Sequence, residues 1–281
     1  VTATASEARG PAAAALGRRI TSGLVLAAIV FASIATVPSF TAVLLAVCLI
    51  SLWELAGLTA RKDQPLNFPV AAVAVAVYIV LAAFGLQHAY EKPLLGCTII
   101  AAFLFSLRGS RQGFLARSAL TVFGVLYIGW LGSYFLALRN QPHYGAAYAA
   151  ESIVAIAFTD IFAMLVGTTI GRTPLTSISP RKTWEGAVGG FVATAAICAS
   201  FGAVHLLDVT WWQGALIGAL TSFAAQTGDI VESALKRDAS VKDAGTLLAG
   251  HGGILDRFDS YTFGGIAFYV GLYLTGHIAH P

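Results

Sequence analysis

The stretch Ala71-Ala-Val-Ala-Val-Ala-Val-Tyr-Ile-Val-Leu-Ala-Ala-Phe84 carries no charge, and a single tyrosine hydroxyl is its only polar side-chain group. A lipid-spanning barrel strand would show short segments alternating apolar with polar residues, and this run is continuous instead. A helix satisfies its own backbone hydrogen bonds in hydrocarbon. With its apolar neighbours the run approaches the roughly 20 residues that cross about 30 Å of bilayer core. Comparable runs recur along nearly the whole chain. They predict nine helices, at 20–37, 40–59, 69–87, 94–107, 119–138, 151–170, 184–206, 212–235 and 255–277, the fourth being the shortest. The expected fold is an all-α polytopic membrane protein, a bundle of about nine transmembrane helices. Residues 1–19 are expected to form a cytosolic tail, 20–140 the N-terminal helices and 141–281 a C-terminal catalytic region. No cleavable signal is read in the N-terminal stretch.

Charge fixes an orientation. Only 17 of the 281 residues are Lys or Arg. With the N-terminus in the cytoplasm, all of them except Lys92 and Arg139 fall on the cytosolic side, as the positive-inside bias requires. The expected location is therefore the cell membrane, multi-pass, with the charged face toward the cytoplasm. Cys48, Cys97 and Cys198 lie within apolar spans without metal-ligand spacing and read as small core residues. A basic stripe interleaved with aromatics is missing, so nucleic acid is not an expected partner.

The polar residues are concentrated rather than spread. Hydrophobic residues make up 57% of the chain. Yet Ser233-Ala-Leu-Lys-Arg-Asp-Ala-Ser-Val-Lys-Asp-Ala-Gly-Thr-Leu-Leu-Ala-Gly-His-Gly-Gly-Ile-Leu-Asp-Arg-Phe-Asp-Ser260 holds four basic and four acidic residues. Such an island in an apolar chain calls for a charged ligand or a wet cavity. At its start, Asp229, Ser233, Lys236 and Arg237 share one helical face, and Glu232 pairs with Lys236 at i,i+4. Asp256 and Asp259 stand at i,i+3 at the start of the last span. Two carboxylates on one face suit a hard divalent cation, and the glycines around His251 let amides converge on an anion. His251 reads equally as a hydrogen-bonded turn residue.

Two further sites belong to this cluster. In Ser177-Ile-Ser-Pro-Arg-Lys-Thr-Trp-Glu-Gly186, Ser179 or Thr183 can cap a helix whose N-terminus favours anions, beside Arg181 and Lys182. Phosphate oxygens fit that combination, and a positive-inside anchor fits it as well. Asp160, near the middle of the sixth span, must face a cavity, a partner or a metal, or carry a proton. Glu54 in the second span has no evident role.

Taken in order, Ser233-x-Leu-Lys-Arg-x4-Lys-Asp-x-Gly-x2-Leu-x2-His-Gly-Gly-Ile-x-Asp-Arg-Phe-Asp259 resembles the motif of the phosphatidate cytidylyltransferases, or CDP-diacylglycerol synthases, of bacterial type. Ser179-Pro-Arg-Lys-Thr-Trp-Glu-Gly186, Gly228-Asp229 and the Asp160 span extend the likeness across the second half of the chain. Ala249 and Met164 depart from the pattern, where proline and an aromatic are usual, and neither removes a charge. The resemblance implies Mg²⁺-dependent joining of CTP and phosphatidic acid to give CDP-diacylglycerol and pyrophosphate. It implies Asp229 and Asp256 as metal ligands, with Asp259 near a second, monovalent cation, K⁺, and Lys236 in a catalytic role beside the two acids. It further implies Ser179, Lys182, Thr183, Ser233, Lys236, Arg237, Lys242 and Arg257 at the substrate phosphates, with Asp243 or His251 orienting a cation or the nucleotide. A homodimer is implied too. Two other classes compete: a CTP-dependent lipid kinase, which would transfer the γ-phosphoryl group, and an ion-coupled transporter using Asp160 and Asp229 as relays.

Overall fold

The computed structural model describes residues 21, 23–108, 112–204, 208–245, 247 and 252–278, and among these the named elements are all helices. Nine helices follow in order: α1 (Gly23–Ser33), α2 (Val37–Ala60), α3 (Phe68–Ala83), α4 (Gln87–Ser106), α5 (Phe114–Arg139), α6 (Gly145–Ile170), α7 (Trp184–Ala203), α8 (Trp211–Asp238) and α9 (Leu255–Leu274). An isolated antiparallel bridge joins Pro174 to Thr183. The predicted tail at 1–19 lies outside the described residues.

Five helices, α2, α4, α5, α6 and α7, are long and apolar enough to cross a membrane. Helices α1 and α3 are apolar but shorter. Helices α8 and α9 have the length, 28 and 20 residues, but they carry the charged residues that set this chain apart. Much of the apolar surface points outward. In α4 and α6 only 17% and 22% of the apolar window is buried, and Ile100, Leu104, Met164, Leu165 and Ile170 are exposed. Apolar faces this extensive suit a lipid surround. Cys97, expected in the interior, lies on the outer face of α4, whereas Cys48 and Cys198 are buried as expected; all three are free.

Helix boundaries follow local chemistry. Thr36 caps α2, its hydroxyl accepting from the Ser39 amide at 3.2 Å. Helix α3 ends earlier than predicted because Gly85 takes φ +70° and turns the chain. Helix α4 starts seven residues before the expected 94. His88, Glu91 and Lys92 read as a loop, but partners make the first turns tenable: the Trp130 indole donates to Glu91 at 2.9 Å, and His88 meets the Tyr269 hydroxyl at 3.2 Å. Helix α5 passes through a π-helical segment at Val125–Trp130.

The central core joins α2, α3 and α5 through Leu52, Leu55, Val75, Ile79, Ile128 and Leu136, and Leu255 and Phe258 of α9 lean on it. Arg139, at the end of α5, donates to the carbonyls of Ile34 and Ala35 at 2.7 and 3.0 Å and so holds the α1–α2 turn. Helix α8 packs between α7 and α9. At the α8–α9 crossing a β-carbon on Gly228 would come within 2.6 Å of the Asp259 carbonyl oxygen. Only glycine permits the approach that brings the neighbouring Asp229 up to α9.

Candidate active site

Three segments converge: the 171–183 loop entering α7, the C-terminal half of α8, and the first turn of α9. The loop is firmly held. Thr183 caps α7 by accepting from the Gly186 amide at 3.1 Å, and Leu175 and Trp184 pair with Lys182 and Thr173 through the backbone. Glu185 folds back on the loop, accepting from the Arg172 amide at 3.2 Å and the Thr173 hydroxyl at 3.0 Å. An acid in the first turn of a helix also suits its dipole. The outcome is a fixed path for Lys182, whose ammonium lies 2.5 Å from Asp229 Oδ2.

On α8, Lys236 reaches two acids at once: Glu232 Oε2 at 2.5 Å, the i,i+4 pair read from the sequence, and Asp256 Oδ1 at 2.7 Å. The Glu232 side chain is fully buried, and Asp256 is nearly so. Asp256 is also saturated by backbone donors. Gly253 donates to Oδ2 at 2.6 Å, and Ala244 donates to Oδ2 at 3.0 Å and Oδ1 at 3.2 Å. The Asp256 carboxylate therefore stitches α8, the following loop and α9 together.

A second acidic group lies alongside. Oxygens of Asp229, Glu232 and Asp259 all lie within 4.8 Å of one another. Three carboxylates that close repel strongly in a poorly solvated interior. An all-oxygen set of this kind is what a hard divalent cation takes, so the residues present fit Mg²⁺. Of the three acids expected at the metal, Asp229 and Asp259 stand in this group, Glu232 joins them, and Asp256 sits beside it with both oxygens engaged as above.

Beside the carboxylates is a cavity of about 570 Å³ between α1, α2, α5, α6 and α9. Leu26, Val30, Leu44, Val47, Ile153 and Ala157 make its wall apolar, while Asp160, Asp256, Arg257 and Asp259 stand at its polar end. Asp160 accepts from the Ser260 hydroxyl at 3.4 Å. Thus the mid-helix acid faces a cavity, as its depth demanded.

The remaining predicted residues surround this centre unevenly. Ser233 is buried on α8. Arg237, Lys242 and Asp243 are exposed, and Arg237 donates to the Val241 carbonyl at 3.2 Å. Ser179 accepts the Lys182 amide through its carbonyl, so Thr183 rather than Ser179 is the capping residue. His251 lies outside the described residues. Sequence reasoning missed three acids here: Glu185, which orders the Lys182 loop, Glu232 as a member of the carboxylate group, and Glu54. The last accepts from the amides of Ile254 and Leu255 at the start of α9. Glu185 alone had a local signal, its position in the first turn after a threonine cap.

Known proteins resemble this chain along most of its length. Residues 17–275 match the family described as "Cytidylyltransferase family". The chain is 34% identical over 258 residues to the phosphatidate cytidylyltransferase of Bacillus subtilis (strain 168), covering 88% of this chain and 93% of that one. It is 39% identical over 194 residues to phosphatidate cytidylyltransferase 4, chloroplastic, of Arabidopsis thaliana, covering 61% and 49%, so the chain spans about half the length of that plant relative. A third relative, the phosphatidate cytidylyltransferase of Helicobacter pylori (strain J99 / ATCC 700824), is 32% identical over 197 residues, covering 70% and 72%. With its helices, its paired cations and its carboxylate group all inside the matched region, this chain belongs to the cytidylyltransferase family.

Proposed function

We propose that the chain is a CTP:phosphatidate cytidylyltransferase, a nucleotidyltransferase that makes CDP-diacylglycerol and pyrophosphate for phospholipid synthesis. The observation that carries the reading is the union of two opposite environments in one cavity. Its apolar wall suits acyl chains, and its polar end offers Arg257 and three acids, with Lys182 and Lys236 ion-paired to two acids of the same cluster. A phosphate joined to two hydrocarbon tails is the substrate shape that matches both.

The chemistry asks little covalent work of the protein. A phosphate oxygen of the lipid attacks the α-phosphorus of CTP, a new P–O–P bond forms, and the bond to the β-phosphate oxygen breaks to release pyrophosphate. Lys182, Lys236 and Arg257 supply positive charge to oxygens whose negative charge accumulates, and the fixed 171–183 loop and α9 turn hold both polyanions in line. Mg²⁺ held by Asp229, Glu232 and Asp259, beside Asp256, would supply Lewis-acid neutralisation of the CTP phosphates. A monovalent cation, K⁺, near Asp259, phosphate contacts from Ser179, Thr183, Ser233, Arg237 and Lys242, and orientation of the nucleotide by Asp243 or His251 complete the proposal. So do a homodimer, nine membrane crossings with the N-terminus inside, and a cell-membrane location with the active site toward the cytoplasm.

Purified protein given phosphatidic acid and CTP labelled separately at the α- and γ-phosphates should place α-label in lipid and γ-label in pyrophosphate. Label from the γ-position in lipid would convert the reading to a lipid kinase, and no transfer at all would favour the transporter class. A second expectation concerns the cavity. Ala157→Phe projects a ring into the apolar wall one turn from Asp160, so it should raise the apparent KM for long-chain phosphatidic acid about tenfold or more and leave a short-chain analogue within about threefold. Equal effects on both lipids would show that the acyl chains lie elsewhere.

A further inference from the structure

Glu54 lies deep in α2, 2% exposed, flanked by the core residues Leu52 and Leu55. A carboxylate in such surroundings is costly unless its oxygens are satisfied. Both are. Oε1 accepts from the Ile254 amide at 3.1 Å and Oε2 from the Leu255 amide at 2.7 Å, two hundred residues along the chain.

Those amides belong to the start of α9, where helix geometry leaves four N–H groups without partners. The flanking residue is Ile254, whose side chain cannot cap. Asp256 takes the Gly253 amide, and Glu54 takes the next two. A β-carbon on either Gly245 or Gly253 would collide with the Glu54 carboxylate. Two points of the loop after α8 are thus folded directly against it, Gly245 two residues from Asp243 and Gly253 three residues from Asp256.

We infer that Glu54 is a positioning residue of the reaction: from α2 it fixes the first turn of α9, and with it the distance from Asp256 to Lys236 and from Asp259 to Asp229. This assignment rests on the cytidylyltransferase reading above. It gives the N-terminal helices a part in catalysis without contact to substrate. A local serine or aspartate at position 254 would cap the amides of residues 256 and 257 instead, and it would leave α9 free to shift against α2.

The test uses the full-length protein in lipid nanodiscs, as wild type, Glu54→Gln, Gly253→Ala and the double variant. Glutamine keeps the shape of the side chain but presents an NH₂ group where an acceptor is needed. Glu54→Gln should lower kcat about 10- to 100-fold, hold the KM for CTP within about threefold, and speed hydrogen exchange at the start of α9. Gly253→Ala, which crowds the same carboxylate, should reproduce the kcat loss, and the double variant should lose much less than the product of the two.

A Glu54→Gln kcat within threefold of wild type overturns the inference. So does a loss fully accounted for by the folded fraction measured by size-exclusion chromatography, or an equal rise in KM. If Glu54→Gln does not fold, Gly253→Ala decides alone by the same kcat and KM criteria. Wild type inactive toward CTP and phosphatidic acid removes the underlying reading and this inference with it, whereas a normal wild type with a normal Glu54→Gln removes only the inference.

Discussion

Asp229→Asn should lower the rate of CDP-lipid formation by about 10³-fold or more, a barrier increase of about 4 kcal/mol, while the protein remains folded. The asparagine keeps the volume and removes one negative oxygen from the group shared with Glu232 and Asp259. Stability should change little. The Asp229 side chain is 33% exposed and its ion pair with Lys182 is partly solvated, and such pairs contribute roughly 0–1 kcal/mol. Single-turnover rates and a thermal melt on the same preparation separate the two effects. A rate within tenfold of wild type, with unaltered dependence on Mg²⁺, would remove Asp229 from the proposed metal site.

Asp256→Asn should fail in a different manner, losing turnover and fold stability together. The Asp256 side chain is 6% exposed and receives Lys236 as well as the Gly253 and Ala244 amides. An asparagine can accept at only one of its two positions and points a donor at other donors. Hydrogen bonds to charged groups are worth about 1.5–3 kcal/mol each. Because Lys236 retains Glu232, a net loss of about 2–3 kcal/mol is expected. The melting temperature should therefore drop clearly below that of Asp229→Asn. Were Asp256→Asn as stable as wild type and merely inactive, the carboxylate would be a ligand first and a structural tie second, the reverse of the arrangement described here.

What the sequence made legible, and what it did not, divides along physical lines. The helices were visible because lipid imposes unbroken apolar runs such as Ala71–Phe84, and the charged cluster of the candidate site was visible because charge is so scarce elsewhere. Boundaries failed where polar residues are satisfied by distant partners, as at Gln87–Lys92, whose stability as helix depends on Trp130 and Tyr269. The i,i+4 pair of Glu232 and Lys236 could be read locally. That Asp256 would join it, that Glu232 would approach Asp259, and that Glu54 would cap α9 could not, because each depends on two helices brought together by tertiary packing. The π-helical segment at Val125–Trp130 likewise has no periodic trace in a run apolar on every side.

Helices α8 and α9, long enough to cross a bilayer yet too polar to be counted among the apolar spans, bear on how the protein is made. A segment carrying several ionised groups partitions poorly into hydrocarbon by itself. During synthesis α1 to α7 emerge first and can leave the insertion machinery on their own hydropathy or with a neighbour. The last two helices must wait for company: Lys182 on the preceding loop for Asp229, Glu54 on α2 for the amides of α9, and each other for Lys236 and Asp256. The cluster of acids and lysines is then the last part of the molecule to assemble. A ribosome stalled before α9 would leave an inserted bundle in which buried Glu54 lacks the amides it accepts from, the kind of nascent product that membrane quality control can recognise and remove.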